Sequence, residues 1–138
     1  MEMKSVLLTA SDLERLQKNL AIFMEQSTGK ESPRIKQLDK ILQSAQVVTP
    51  DNMPTNVVTM HSKVLMEDSS NGNQLECTLV FPSQSNAVDG KISVLSAMGL
   101  ALLGARLGEE VVWEGANGPR CYRLTDILEQ GILKPQHI

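Results

Sequence analysis

Two adjacent acid pairs, Glu67-Asp68 and Glu109-Glu110, and two histidines, His61 and His137, are the residues of this chain that could move a proton. General acid–base chemistry needs two groups converging on one substrate atom. Neighbours in sequence point to opposite sides of a strand, so adjacency alone does not build such a site. The pairs read as solvated carboxylates at a turn and at a strand edge, and the histidines as surface or satisfied side chains. Cys77 and Cys121 have no Cys-x-x-Cys partner and no histidine beside them. A zinc site needs three or four ligands at short spacing. The cysteines therefore read as buried reduced thiols, with a disulfide as the alternative. Gly-rich phosphate loops and nucleophile elbows are absent. No catalytic constellation, metal or cofactor is expected, and the reading is of a non-enzyme.

Bulk composition narrows the classes further. The chain has 138 residues, 41% hydrophobic but only 3% aromatic, and a net charge of -3. Such a core is aliphatic and Met-rich, and an aromatic-lined pocket is hard to build. Residues 1–46 carry seven basic against six acidic residues, and 47–138 carry six against ten. Sequence-independent nucleic-acid binding needs clustered Lys and Arg, an excess this chain lacks; no direct sequence-specific nucleic-acid contact is expected either, and no small-molecule substrate. No 18-residue apolar run and no secretory signal is present, so a cytoplasmic protein without a membrane partner is expected.

The elements that would position any site fall into two parts. Ser11-Asp12-Leu13-Glu14 reads as a capping box. Leu13, Leu16, Leu20 and Phe23 follow at spacings of 3, 4 and 3. After Ser27-Thr28-Gly29-Lys30, Ser32 caps a second helix with Pro33 in its first turn. Ile35, Leu38, Leu42 and Ala45 repeat the spacing. Two narrow matched seams predict an antiparallel helical hairpin, a short coiled coil of roughly 20 Å over 1–46. Val6-Leu7-Leu8 is an edge strand or packs against the hairpin base. Arg34, Lys36 and Lys40 read as a solvated face. Pro50, Asp51, Asn52 and Pro54 mark a linker.

From Asn56 the period becomes two. Val58, Met60, Val64 and Met66, with Ser62 in phase, predict a strand. Asn71-Gly72 turns it into a second, with Leu75, Cys77, Leu79 and Phe81 inward. Residues 91–94 form a short strand and Ser96 caps a short helix over 97–103. Gly104 closes that helix. Strands over 109–114 and 120–128 flank an Asn117-Gly118 turn. The expectation is an α+β chain: the hairpin, then an antiparallel sheet with one short helix over 47–130, then a tail over 131–138.

Val48-Thr49-Pro50, Met53-Pro54 and Val57-Val58-Thr59-Met60-His61-Ser62-Lys63-Val64 resemble the opening of the C-terminal domain in bacterial transcript-cleavage factors of the Gre family, most of all its Rnk subgroup. Lys91-Ile92-Ser93-Val94 and Ala101-Leu102-Leu103-Gly104, with Arg106 and Gly108, are similar to that domain's second block. The resemblance covers about residues 46–128. It implies an FKBP-like fold over 47–130 and docking on RNA polymerase at the rim of the secondary channel. In Gre factors an Asp and a Glu at the hairpin tip hold magnesium, which takes hard oxygen ligands. Here the tip is Ser27, Thr28, Gly29, Lys30 and Glu31, with one carboxylate and a lysine. The arm is also shorter than theirs. The resemblance therefore implies docking without transcript cleavage, in competition with Gre factors. The family's polymerase contact, an Asp-Ser-Pro-like loop, falls on Leu95, Ser96 and Ala97, of which only Ser96 matches; with Met98 beside them these are the candidate polymerase-binding residues. The alternatives are a cleavage-stimulating factor using Glu31, a prolyl isomerase, and an adaptor for another protein.

Overall fold

The computed structural model describes residues 6–26 and 33–130. They fall into two compact units, divided between Met53 and Pro54. In the first, β1 (Leu7–Leu8) pairs in parallel with β2 (Gln46–Val47), and α1 (Ala10–Gln26) and α2 (Pro33–Ser44) lie between them in sequence. The seam is occupied as its spacing requires. Leu16, Leu20, Leu38 and Leu42 are buried, as are Val6 and Leu8. Each buried leucine contributes about 1.5–3 kcal/mol relative to exposure. The α1 cap differs from the expected Ser11 box. The helix begins at Ala10, and the Asp12 amide donates to Thr9 Oγ1 at 3.2 Å. Thr9 holds the position because Val6 and Leu8 pin the preceding chain, so the helix starts two residues nearer the strand. The tip residues Ser27, Thr28, Gly29, Lys30 and Glu31, the Ser32 cap, His137 and the tail over 131–138 lie outside the described residues.

The second unit is a mixed sheet of β3 (Lys63–Asp68), β4 (Gln74–Val80), β5 (Lys91–Ser93), β6 (Glu110–Gly115) and β7 (Gly118–Glu129), ordered β5-β4-β3-β7-β6. The short helix α3 is Ala97–Leu102. The expected all-antiparallel sheet is corrected at one pair: β4 and β5 run parallel, with Thr78 opposite Lys91. Alternating hydrophobicity sets a strand's face but not its direction. The connection over 81–90 is long enough to carry the chain back beside the end of β4, and Gly90 adopts φ 69° there.

The first strand also begins later than the periodicity suggests. Val58, Met60, Ser62, Val64 and Met66 are all buried. Ladder pairing nevertheless starts only at Lys63, because His61 takes φ 65°. The Ser62 hydroxyl accepts from the Thr59 amide at 2.9 Å and closes that kink. The Asn71-Gly72 turn is wider than a two-residue loop: Asp68 N donates to Asn73 O, and only Gly72 has positive φ. The last hairpin turns through Ala116 and Asn117, one residue earlier than expected, since Gly115 pairs with Gly118. Two register shifts between β3 and β7 curl the sheet. Its core is aliphatic with methionine: Met60, Met66, Leu79, Leu102 and Leu124 are fully buried around Phe81.

Candidate functional site

The loop into α3 is built on one carbonyl. β5 ends at Ser93, and the Val94 amide donates back to Val80 O at 2.9 Å. Ser93 O then accepts from the Ser96 amide at 3.0 Å and from the Ser96 hydroxyl at 2.7 Å. Ser96 Oγ in turn accepts from the Gly99 amide at 3.0 Å. The Leu95 amide donates to Ser93 Oγ at 3.0 Å. Ser96 is thus the expected N-cap, and its only proton is committed to Ser93. Its hydroxyl holds the turn and has no proton left to donate to a ligand.

Glycine at position 99 follows from the same knot. A Cβ there would stand 2.0 Å from Ser93 O and 2.9 Å from Ser93 C. The first turn of α3 therefore rests directly on the end of β5. Past the helix, Gly104 takes φ 84° and its amide donates to Val58 O at 3.0 Å. Val58 N donates to Ala105 O at 2.9 Å. The loop is anchored at both ends, on β4 and on the segment before β3. Leu95, Ser96, Ala97 and Met98 are all half-buried, while Val94 and Leu100 behind them are buried. The four candidates lie together as one partly apolar surface on a fixed turn. Three apolar residues and one capping hydroxyl occupy it.

The other sequence candidates are dispersed. His61 Nε2 and Gln84 Oε1 are 2.8 Å apart and hydrogen-bonded, and its ring lies 5.3 Å from that of Phe81. It is a satisfied histidine. Glu67 is exposed, but Asp68 is buried, which corrects the reading of both as solvated. The Ser70 hydroxyl and amide donate to Asp68 Oδ1 at 2.7 and 2.9 Å. The hydroxyl, then the amide, hold its carboxyl below the usual range, against the opposing effect of burial. Its phase with Val64 and Met66 was the available signal. Glu109 Oε1 accepts from the Arg106 amide, whereas Glu110 faces Arg123 across the ladder at 3.7 Å. Cys77 and Cys121 are both free thiols; Cys77 is buried as expected, but Cys121 is only half-buried, which corrects that part of the reading. Burial, and secondarily the charge of Glu76, push Cys77 up to about 11.

Among the described residues, no group of three or more His, Cys, Asp and Glu is placed to hold a metal. No described helix is long and apolar enough to cross a membrane. Phe81 is fully buried, and Trp113 and Tyr122 stack on each other at 5.0 Å. These three rings therefore do not line a common pocket. Ser93 is the residue of the candidate loop that sequence reasoning missed. The repeat Ser93, Ser96, Gly99 at intervals of three was the signal, since each serine bonds within its own next turn.

A two-helix unit followed by a curled mixed sheet with a short capped helix is the fold of Gre-like transcription regulators. A solved GreA/GreB prokaryotic transcription elongation factor from Nitrosomonas europaea matches with TM-score 0.76 and 31% identity, over 91% of this chain and 98% of that one. The chain belongs to the GreA/GreB family: residues 53–129 match the family described as "Transcription elongation factor, GreA/GreB, C-term". The regulator of nucleoside diphosphate kinase of Escherichia coli K12 is 33% identical over 118 residues, covering 86% of this chain and 84% of that protein. The transcription elongation factor GreA of Amoebophilus asiaticus is 32% identical over 94 residues, covering 68% of this chain and 60% of that protein.

Proposed function

We propose that this chain is a regulator of bacterial transcription that docks on RNA polymerase at the rim of the secondary channel. Leu95, Ser96, Ala97 and Met98 form the contact. Residues 1–46 are a short antiparallel helical hairpin, 47–130 an FKBP-like domain and 131–138 a tail. Pairing of Leu7 with Gln46 supports the hairpin, because it ties the start of α1 to the end of α2. The protein works in the cytoplasm, without cleaving the transcript, and competes with Gre factors for the site.

One observation carries the docking part: four adjacent, half-buried residues sit on a turn that Ser96 ties to the Ser93 carbonyl and to the Gly99 amide. The non-cleaving part rests on reach and ligand count. α1 has 17 residues and α2 has 12, so the arm extends for roughly 20–25 Å. The tip sequence offers Glu31 as its one carboxylate beside Lys30, a poor set for magnesium, which prefers several oxygen ligands.

The test is binding to core RNA polymerase in competition with a labelled Gre factor. Displacement by the wild type, weakened in Met98→Glu, supports docking through this loop. A folded protein that fails to displace the factor refutes the shared site and leaves the adaptor reading. Stalled-complex assays separate the second point. Transcript cleavage that is stimulated by the wild type and lost in Glu31→Ala would overturn the non-cleaving reading.

A further inference from the structure

β6 is the outermost strand beyond β7. Its ladder shows which of its backbone groups are free. Leu124 N donates to Glu109 O at 2.9 Å, so the 109/124 pair is hydrogen-bonded. Antiparallel pairs alternate. In the observed register, Val111 with Tyr122 and Trp113 with Arg120 are bonded pairs. The amides and carbonyls of Glu110, Val112 and Glu114 then point away from β7. Among the described residues, no backbone hydrogen bond from another element reaches them. The same three residues share the outer face of the strand. Glu110 and Glu114 are exposed and Val112 is 58% exposed, whereas Val111 on the other face is buried. α3 packs on β6 and leaves all three exposed.

We propose that this edge is a docking strand for an extended protein segment carrying a basic residue on each side of an apolar one, at positions i, i+2 and i+4. Strand addition takes its affinity from main-chain hydrogen bonds and its specificity from alternate side chains. Here the alternate positions read acid, valine, acid. Basic residues opposite Glu110 and Glu114, with an apolar residue opposite Val112, complement all three. A second copy does not. In the two-fold register centred on Val112, Glu110 of each chain faces Glu114 of the other, and like charges directly opposite destabilise a pair. The acidic pair equally repels a phosphate backbone. Glu110 already has partners, Arg123 Nη2 at 3.7 Å and the Cys121 thiol, which donates at 3.4 Å. Among the described residues Glu114 has none, so it dominates the charge preference. This surface is independent of the loop at 95–98.

The test uses the full chain and two synthetic peptides, acetyl-Thr-Lys-Thr-Val-Thr-Lys-Thr-amide and its counterpart with Glu in place of Lys. Amide shifts and hydrogen exchange are followed by NMR. The lysine peptide is expected to shift and protect the amides of Glu110, Val112 and Glu114, and to bind about tenfold more tightly than the glutamate peptide. Val112→Pro removes an outward amide, which an edge strand tolerates, and is expected to abolish binding with the sheet intact. Should it unfold, Glu114→Lys serves instead, and is expected to reverse the peptide preference. Equal affinity for the two peptides overturns the proposal. So does a binding site mapped elsewhere, the absence of binding up to millimolar peptide, or a wild-type dimer in sedimentation with these amides protected.

Discussion

Replacing Gly99 with alanine sets two forces against each other with opposite signs. Gly99 lies inside α3, where helix propensity alone favours alanine by about 1 kcal/mol. The geometry opposes it. The added Cβ would stand 2.0 Å from Ser93 O, and ordinary contact begins near 3.4 Å. The helix must therefore retreat from the end of β5 by about 1.4 Å, the difference of those two distances. That movement stretches the bond between Ser96 Oγ and Ser93 O and the bond between the Gly99 amide and Ser96 Oγ, now 2.7 and 3.0 Å. Each is worth about 1 kcal/mol net, and overpacking of this kind costs a further 1–3 kcal/mol or so. The expected balance is a loss of about 2–4 kcal/mol, a large part of a typical domain's stability.

Urea unfolding followed by the fluorescence of Trp113, the chain's only tryptophan, reads the second unit by itself. Gly99→Ala should lower the midpoint by about 1–2 M at unchanged slope. Ala101→Gly, in the same helix but without a clash to relieve, should cost only about 1 kcal/mol. A Gly99→Ala protein as stable as the wild type, or more so, would refute the close approach and with it the fixed loop.

Three further outcomes follow from the geometry. The carboxyl of Asp68 is depressed in the folded state, chiefly by Ser70. Its stabilising effect is therefore complete above the unfolded pKa of about 3.9 and is lost as pH falls through the lower folded value. Asp68→Asn should flatten the acid limb of the stability profile measured by urea titration across that range. Cys121 should react with a thiol reagent near neutral pH, while Cys77, buried and pushed up to about 11, should react only on unfolding; mass spectrometry of the labelled protein checks the order. His61 takes φ 65°, so His61→Ala should be less stable than His61→Gly by about 1 kcal/mol, since both lose the Gln84 bond and only alanine retains the strain.

The parts legible in sequence are those governed by periodicity. Leu16, Leu20, Leu38 and Leu42 are buried as a two-per-heptad seam requires, and Val64, Met66, Cys77 and Leu79 as a two-residue period requires. The Ser96 cap and the Gly104 stop were equally visible, because each depends on residue type within one turn. What periodicity does not encode is direction and register. The parallel β4–β5 pair and the register shifts between β3 and β7 depend on where the chain is led by loops. Met60 and Ser62 were placed on the right face, yet they do not extend β3, because the left-handed turn at His61 breaks the ladder without changing the phase of burial. Phase and pairing are separate quantities, and the pattern reports only the first.

The same distinction bears on the candidate site. A contact loop matched to its family at one residue in three would be a weak predictor if its side chains alone did the binding. The bonds around Ser93 O change the weight of that single match. Ser96 and Gly99 fix the backbone of the turn, so in the proposed docking Leu95, Ala97 and Met98 would need little ordering on contact. Disturbing the serine should then weaken docking beyond the loss of its own surface. Ser96→Ala removes a cap worth about 1 kcal/mol and releases the loop, while Ser96→Asp restores an acceptor for the Gly99 amide but not the proton given to Ser93. A folded Ser96→Ala protein that competes for polymerase as well as the wild type would show that the fixed turn serves the fold alone.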